Sequence, residues 1–151
     1  MPEATQTTAA PRPATDPTLL DALVQLSFEV IGVVSQVATA HDLSLTQLRV
    51  LAILRDRRPT MSELAGYLGL DRSSVTGLVD RASTRGLLER VANEEDRRSA
   101  RIVLTPQGHV LADQGALEIT HGITPLLSRL TTAERARLTG LLTRMGLAAV
   151  A

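Results

Sequence analysis

The chain contains no cysteine, which excludes disulfides, thiolate zinc sites, cysteine nucleophiles and thiol redox sensing. Lysine is absent as well, and all 16 basic residues are arginine. Arginine is the better bidentate partner for phosphate and guanine, although a codon bias toward G and C produces the same composition. Aromatics are nearly missing: Phe28, Tyr67 and no tryptophan. The core must therefore be aliphatic, which suits helix-on-helix packing and argues against single-stranded nucleic acid binding by base stacking. Net charge is zero, which by itself argues against bulk attraction to DNA. The longest run without charge, Val30–Ala40, is too short to span a bilayer. Residues 1–16 lack the apolar region of a secretory signal and read as a disordered leader. The expectation is a soluble cytoplasmic protein with no membrane partner.

What is present is one domain's length, 151 residues, with 44% apolar content. Pro17 to about Ala40 reads as a first helix whose polar positions, Asp21, Gln25, Glu29 and Gln36, form one narrow stripe. Apolar groups occupy the rest of its circumference, so it is expected to be buried on more than one side. A second copy of the chain is the economical partner. The next helix spans about Leu45–Asp56, opened by a Ser44/Gln47 capping box, with Leu48, Leu51 and Ala52 as its core face. Met61 to about Leu68 follows, with a Thr60/Glu63 box. After a turn at Gly69-Leu70, Asp71 caps a fourth helix from Arg72 to about Arg85, stopped by Gly86. Leu87–Ala92 and Arg101–Thr105 read as strands flanking a charged loop. Thr105-Pro106 starts a fifth helix that should kink or end near Gly122–Pro125. Thr131 and Glu134 box a last helix running to about Ala149, with Leu138, Leu141, Leu142 and Met145 on one stripe.

The stretch Asp71–Thr105 organises the chain. On the fourth helix Val75, Leu78, Val79 and Ala82 recur at i, i+3, i+4, i+7 and must face the core. The opposite face carries Ser73, Thr76, Gly77, Asp80 and Thr84, groups small enough for a major groove and able to hydrogen-bond bases or phosphates. Gly77 would permit close approach of the backbone. Asp80 repels phosphate, and an intramolecular ion pair is its expected role. The hairpin brings arginines to a tip that a narrow minor groove would attract. From Arg72 to Arg101 seven arginines face five acids, so binding should depend on arrangement more than on bulk charge.

These residues resemble the MarR family of bacterial transcription regulators. Asp96 to Thr105 matches that family's wing pattern, D-x-R-x5-L-T. Leu70–Thr76, Leu78–Arg81 and Arg85-Gly86-Leu87 are similar to its recognition helix and exit, and the resemblance covers all but the leader. It implies a mainly α fold with a small β-hairpin wing, a winged helix-turn-helix at 44–105 beside a helical dimerisation region at 17–43 and 106–151. It implies a homodimer on a pseudo-palindromic double-stranded operator with half-sites ~10 bp apart. Carried over by position, Arg98 would enter the minor groove with Asp96 holding its guanidinium, and Arg97 is a second candidate. Ser73, Ser74 and Thr76 would lie near base edges or flanking phosphates, and Arg72 and Arg81 would contact phosphate.

The resemblance also implies a repressor released by a small aromatic or phenolic ligand, bound between dimer region and DNA head. Phe28, His41, Leu48, Arg49, Val110 and Leu111 are the candidates for that cleft. His109 and Asp113 share a helix face at i, i+4, but no His-rich or Cys-rich spacing joins them, so no metal or other cofactor is expected. No nucleophile motif such as G-x-S-x-G appears, and no enzyme is expected. The near-neutral charge leaves a second reading, a winged helix that binds protein without ligand response.

Overall fold

The computed structural model describes residues 16–147. Its elements run α1 (Pro17–Ala40), α2 (Leu45–Asp56), α3 (Met61–Leu68), α4 (Arg72–Thr84), β1 (Leu88–Ala92), β2 (Ala100–Leu104), α5 (Pro106–Leu127) and α6 (Thr132–Arg144). The expected leader lies outside the described residues except for Asp16, which is ordered as the N-cap of α1 and accepts from the Thr18 amide at 2.9 Å.

Local chemistry explains most boundaries. Ser44/Gln47, Thr60/Glu63 and Thr131/Glu134 all form reciprocal capping boxes. Gly69 ends α3 in the left-handed region at φ 67°, which costs a glycine nothing. Thr105 caps α5 with Pro106 behind it. The two strands pair antiparallel from Leu88↔Leu104 to Ala92↔Ala100. Each strand is thus one residue away from the expected start or end, because pairing and not composition sets where a strand begins.

The core sits in the segment that carries the hairpin and α4. Leu51, Leu64, Val75, Val79 and Ile102 are fully buried, joined by Leu48, Val50, Leu54, Leu68, Leu78, Ala82, Leu88 and Leu104. Each such side chain adds ~1.5–3 kcal/mol by leaving water. The expected core face of α4 is therefore correct at all four positions. On α2 it needs correction: Ala52 is exposed, and Val50 and Leu54 are buried instead. Three layers meet on α2, so its buried arc is wider than one stripe.

Two helix ends also differ from expectation. α5 passes Pro125 and closes at Leu127, with Ser128 donating to the Thr124 carbonyl at 2.8 Å. Proline lacks only its own amide, and the next turn re-forms. α6 stops at Arg144, with Gly146 at φ 80°, short of the expected Ala149; residues 148–151 lie outside the described ones.

Within one chain α1 buries only Val37 and Ala38, at its C-terminal end. Leu19, Leu20, Leu23, Val24, Leu26, Phe28 and Ile31 are all exposed. The charge-free run understated this helix. Asp21 and Glu29 are its only charges, and the helix is long and apolar enough to cross a membrane by length and composition. Val37 and Ala38 nevertheless join the core that carries α4 and the hairpin.

Candidate nucleic-acid interface

Asp71 builds the first turn of α4. One carboxylate oxygen accepts from the Ser74 amide at 2.9 Å and also from the Ser73 hydroxyl, and the other accepts from the Ser74 hydroxyl at 2.6 Å. These bonds, the Ser73 hydroxyl first, hold the carboxyl far below the usual range. An ionised carboxylate only accepts, so both serines must donate their protons to it. Thr76 likewise donates to the Arg72 carbonyl at 2.8 Å. The three hydroxyls that face outward therefore present lone pairs. They match donors such as exocyclic base amines and do not match phosphate oxygens, which only accept. Gly77 is half-buried, and a Cβ there would lie 3.3 Å from an Arg81 guanidinium nitrogen. Arg81 thus folds back along the helix over the position expected to admit a backbone.

The wing loop, 93–99, is shaped by Asn93, the only buried polar residue among those described. Its side chain donates to the Ser99 hydroxyl at 2.9 Å and accepts from the Glu95 amide at 3.2 Å and Arg101 Nε at 3.1 Å. Arg101 then reaches the Arg58 carbonyl at 2.9 Å and Glu95 at 2.7 Å. The Ile102 amide donates to the Pro59 carbonyl at 2.8 Å. The wing is thereby fastened to the α2–α3 connection. Arg101, read in the sequence as the start of the second strand, is consumed by this fastening.

At the tip, Asp96 accepts from the Arg98 backbone amide at 3.0 Å. This corrects the expected contact, since among the described residues Asp96 makes no ion pair with the Arg98 guanidinium. A carboxylate two residues before an amide closes an Asx turn more readily than it reaches a flexible guanidinium. Asp80 does form the expected internal ion pair, with Arg90 of β1 at 2.6 Å.

α4, the start of α3 and the wing border an open groove of about 620 Å³. Arg72, Thr76, Asp96 and Arg98 line it, so half of the eight expected contact residues converge there. Ser73, Ser74, Arg81 and Arg97 are outside its walls. Among the described residues the guanidinium groups of Arg72, Arg81, Arg97 and Arg98 make no hydrogen bond or ion pair, so all four remain available. Arg90, Asn93 and Arg101 were missed as site residues. The one sequence signal for Asn93 is a turn-forming residue directly after a strand; nothing local marks Arg90 as the partner of Asp80.

The six ligand candidates do not share one cleft. His41, Val110 and Leu111 line a cavity of about 310 Å³ with Arg85, Leu87, Gln107 and Gln114. Arg49 lines a separate one with Ala52, Ile53, Arg57 and Tyr67, where the Arg57 guanidinium stands 4.6 Å from the Tyr67 ring centre. Leu48 is buried in the core, and Phe28 is 64% exposed on α1. His41 has its Nε2 3.1 Å from both Glu118 oxygens.

Comparison with known proteins agrees with this geometry. A MarR family model matches residues 41–99. The chain is similar to the HTH-type transcriptional regulator PecS of Dickeya dadantii, 28% identical over 131 residues, covering 84% of this chain and 79% of PecS. Its fold resembles a MarR mutant from E. coli complexed with operator DNA, at TM-score 0.68 and 24% identity over 85% of this chain and 94% of that one. It also resembles NadR in complex with 4-hydroxyphenylacetate, at TM-score 0.73 and 20% identity over 90% and 97%.

Proposed function

We propose that the chain is a winged-helix transcriptional regulator of the MarR family, whose model matches residues 41–99, and that it represses transcription as a homodimer on a pseudo-palindromic operator. α4 enters the major groove and the wing tip the adjacent minor groove. The observation that carries this reading is the groove bordered by α4, the start of α3 and the wing, whose lining brings together Arg72, Thr76 and Arg98. Arg72 and Arg81 neutralise phosphates, Arg98 and Arg97 serve the minor groove, and Ser73, Ser74 and Thr76 offer acceptors to base amines. The exposed apolar length of α1, with Leu141 and Met145 of α6, supplies the dimer surface.

A small aromatic or phenolic ligand releases the operator. The cavity of His41, Val110 and Leu111 favours this, because it abuts both Arg85 at the end of α4 and the start of α5. The MarR relative was solved with operator DNA and NadR with 4-hydroxyphenylacetate. The test is an anisotropy titration of duplexes selected from a random library, with Arg98→Ala beside Arg135→Ala, a control on α6. A larger loss for the wing variant supports the assignment; equal losses, or a wild type that binds no duplex at low salt, overturn it in favour of protein binding.

A further inference from the structure

We propose that Arg85 is the joint that fixes where α4 stands against the α1–α5 stalk, and so sets the half-site spacing that the dimer accepts. The inference rests on the DNA-binding reading above. Arg85 is the C-cap of α4. Its guanidinium crosses to the α1–α2 corner, where Nη1 donates to the Asp42 carbonyl at 2.7 Å and Nη2 to the His41 carbonyl at 3.1 Å.

Those two carbonyls have a defined position. α1 stops at His41, and Asp42 takes a left-handed conformation at φ 53°, unusual for a residue other than glycine. The corner is pinned to the stalk by the His41 contact to Glu118 of α5 and by the Leu43 amide, which donates to the Ala38 carbonyl at 2.8 Å. The turn after α4 is held from its other side by Thr105, at the start of α5. The Thr105 hydroxyl donates to the Gly86 carbonyl at 2.6 Å and its amide to the Leu87 carbonyl at 3.1 Å. The C-terminal end of α4 is thus clamped between the end of α1 and the beginning of α5, and Arg85 is the side chain that closes the clamp.

The opposite end of α4 is the one that would meet DNA. Thirteen residues of helix span about 18 Å between their end Cα atoms at ~1.5 Å per residue. A tilt of about 10° at the joint therefore moves the Ser73 end by ~3 Å, close to the ~3.4 Å rise of one base pair. A planar guanidinium delivers two donors in a fixed fork, which a lysine ammonium cannot reproduce.

The test uses the full chain as wild type, Arg85→Lys and Arg85→Ala, each shown to be folded by thermal melting. Affinity is measured on the best selected duplex and on versions with the half-sites moved by one or two base pairs. Wild type is expected to lose about tenfold for a shift of one base pair. In Arg85→Ala that preference should shrink to about twofold, with Arg85→Lys in between and the salt slope unchanged in both. A spacing preference that stays at the wild-type value overturns the joint. So does a slope shallower by about one unit, which would make Arg85 a phosphate contact. Should Arg85→Ala fail to fold, Arg85→Lys decides by the same criteria. A wild type that binds no duplex overturns the DNA-binding reading and the joint with it, whereas unchanged spacing in the variants overturns the joint alone.

Discussion

Asp96 holds Arg98 by its backbone: the carboxylate accepts from the amide nitrogen at 3.0 Å, and the guanidinium is left free to enter a groove. The consequence is testable because an asparagine side chain also accepts. Asp96→Asn should keep operator affinity within about 0.5 kcal/mol, whereas Asp96→Ala loosens the turn and Arg98→Ala loses ~1–3 kcal/mol of binding. Anisotropy titrations of the three variants decide it. If asparagine were as damaging as alanine, the negative charge and not the turn would be the working element.

Asp80 and Arg90 make the opposite case, a charge pair lying beside the proposed interface. The 2.6 Å contact joins side chains that are each about half exposed, so its contribution to stability is small, ~0–1 kcal/mol. Its larger effect is on DNA, because the acid neutralises an arginine that lines the groove. Asp80→Ala should leave the melting temperature nearly unchanged. It should strengthen binding to unrelated duplexes and steepen the salt slope by about one unit. Weaker binding, confined to one base position, would instead mean that Asp80 reads a base.

Periodicity and capping chemistry made the head legible in the sequence. The buried quartet of α4 and the three capping boxes depend on residues three and four apart, and such contacts are decided locally. The same reasoning failed where the partner lies far along the chain. Arg101 looks like the plain start of a strand until Asn93, Glu95 and the Arg58 carbonyl surround it, and Arg58 is 43 residues away. Arg85 looks like a helix-terminal charge until the corner at His41 and Asp42 is seen. The ligand candidates failed for a related reason. Leu48 and Arg49 are adjacent on α2, so one faces the core and the other a different cavity.

Acid should expose the caps. Glu63 and Glu134 are held below the ordinary 4.5, chiefly by the backbone amides of Thr60 and Thr131, and Asp71 is held still further below its ordinary 3.8. In each case the folded form binds its proton less readily than the unfolded chain. The stability these groups add is complete above the ordinary carboxylate range. It declines as the pH falls from there toward the depressed native values, and Asp71 is the last to give way. Urea midpoints measured from about pH 7 down to about pH 2 should therefore decline for wild type. The curve for Asp71→Asn should start lower and converge on wild type at the acid end. A constant offset at every pH would show that the carboxylate charge contributes nothing.

Gly108 offers the sharpest test of how the wing is mounted. It is buried in the first turn of α5, and a Cβ built there collides with the Leu87 carbonyl oxygen and comes within 3.2 Å of Leu104. Leu104 ends β2 and Leu87 lies in the turn directly before β1, where its carbonyl already accepts from the Thr105 amide. That carbonyl cannot yield without opening the contact between α5 and the turn after α4. Gly108→Ala should accordingly cost ~2–4 kcal/mol, lowering the melting temperature by roughly 5–15 °C. Gly66→Ala is the control, because nothing lies within 4 Å of the added methyl and α3 is helical there. It should be neutral or gain up to ~1 kcal/mol from helix propensity. Equal melting temperatures for the two variants would mean that α5 and the hairpin do not pack as closely as this geometry requires.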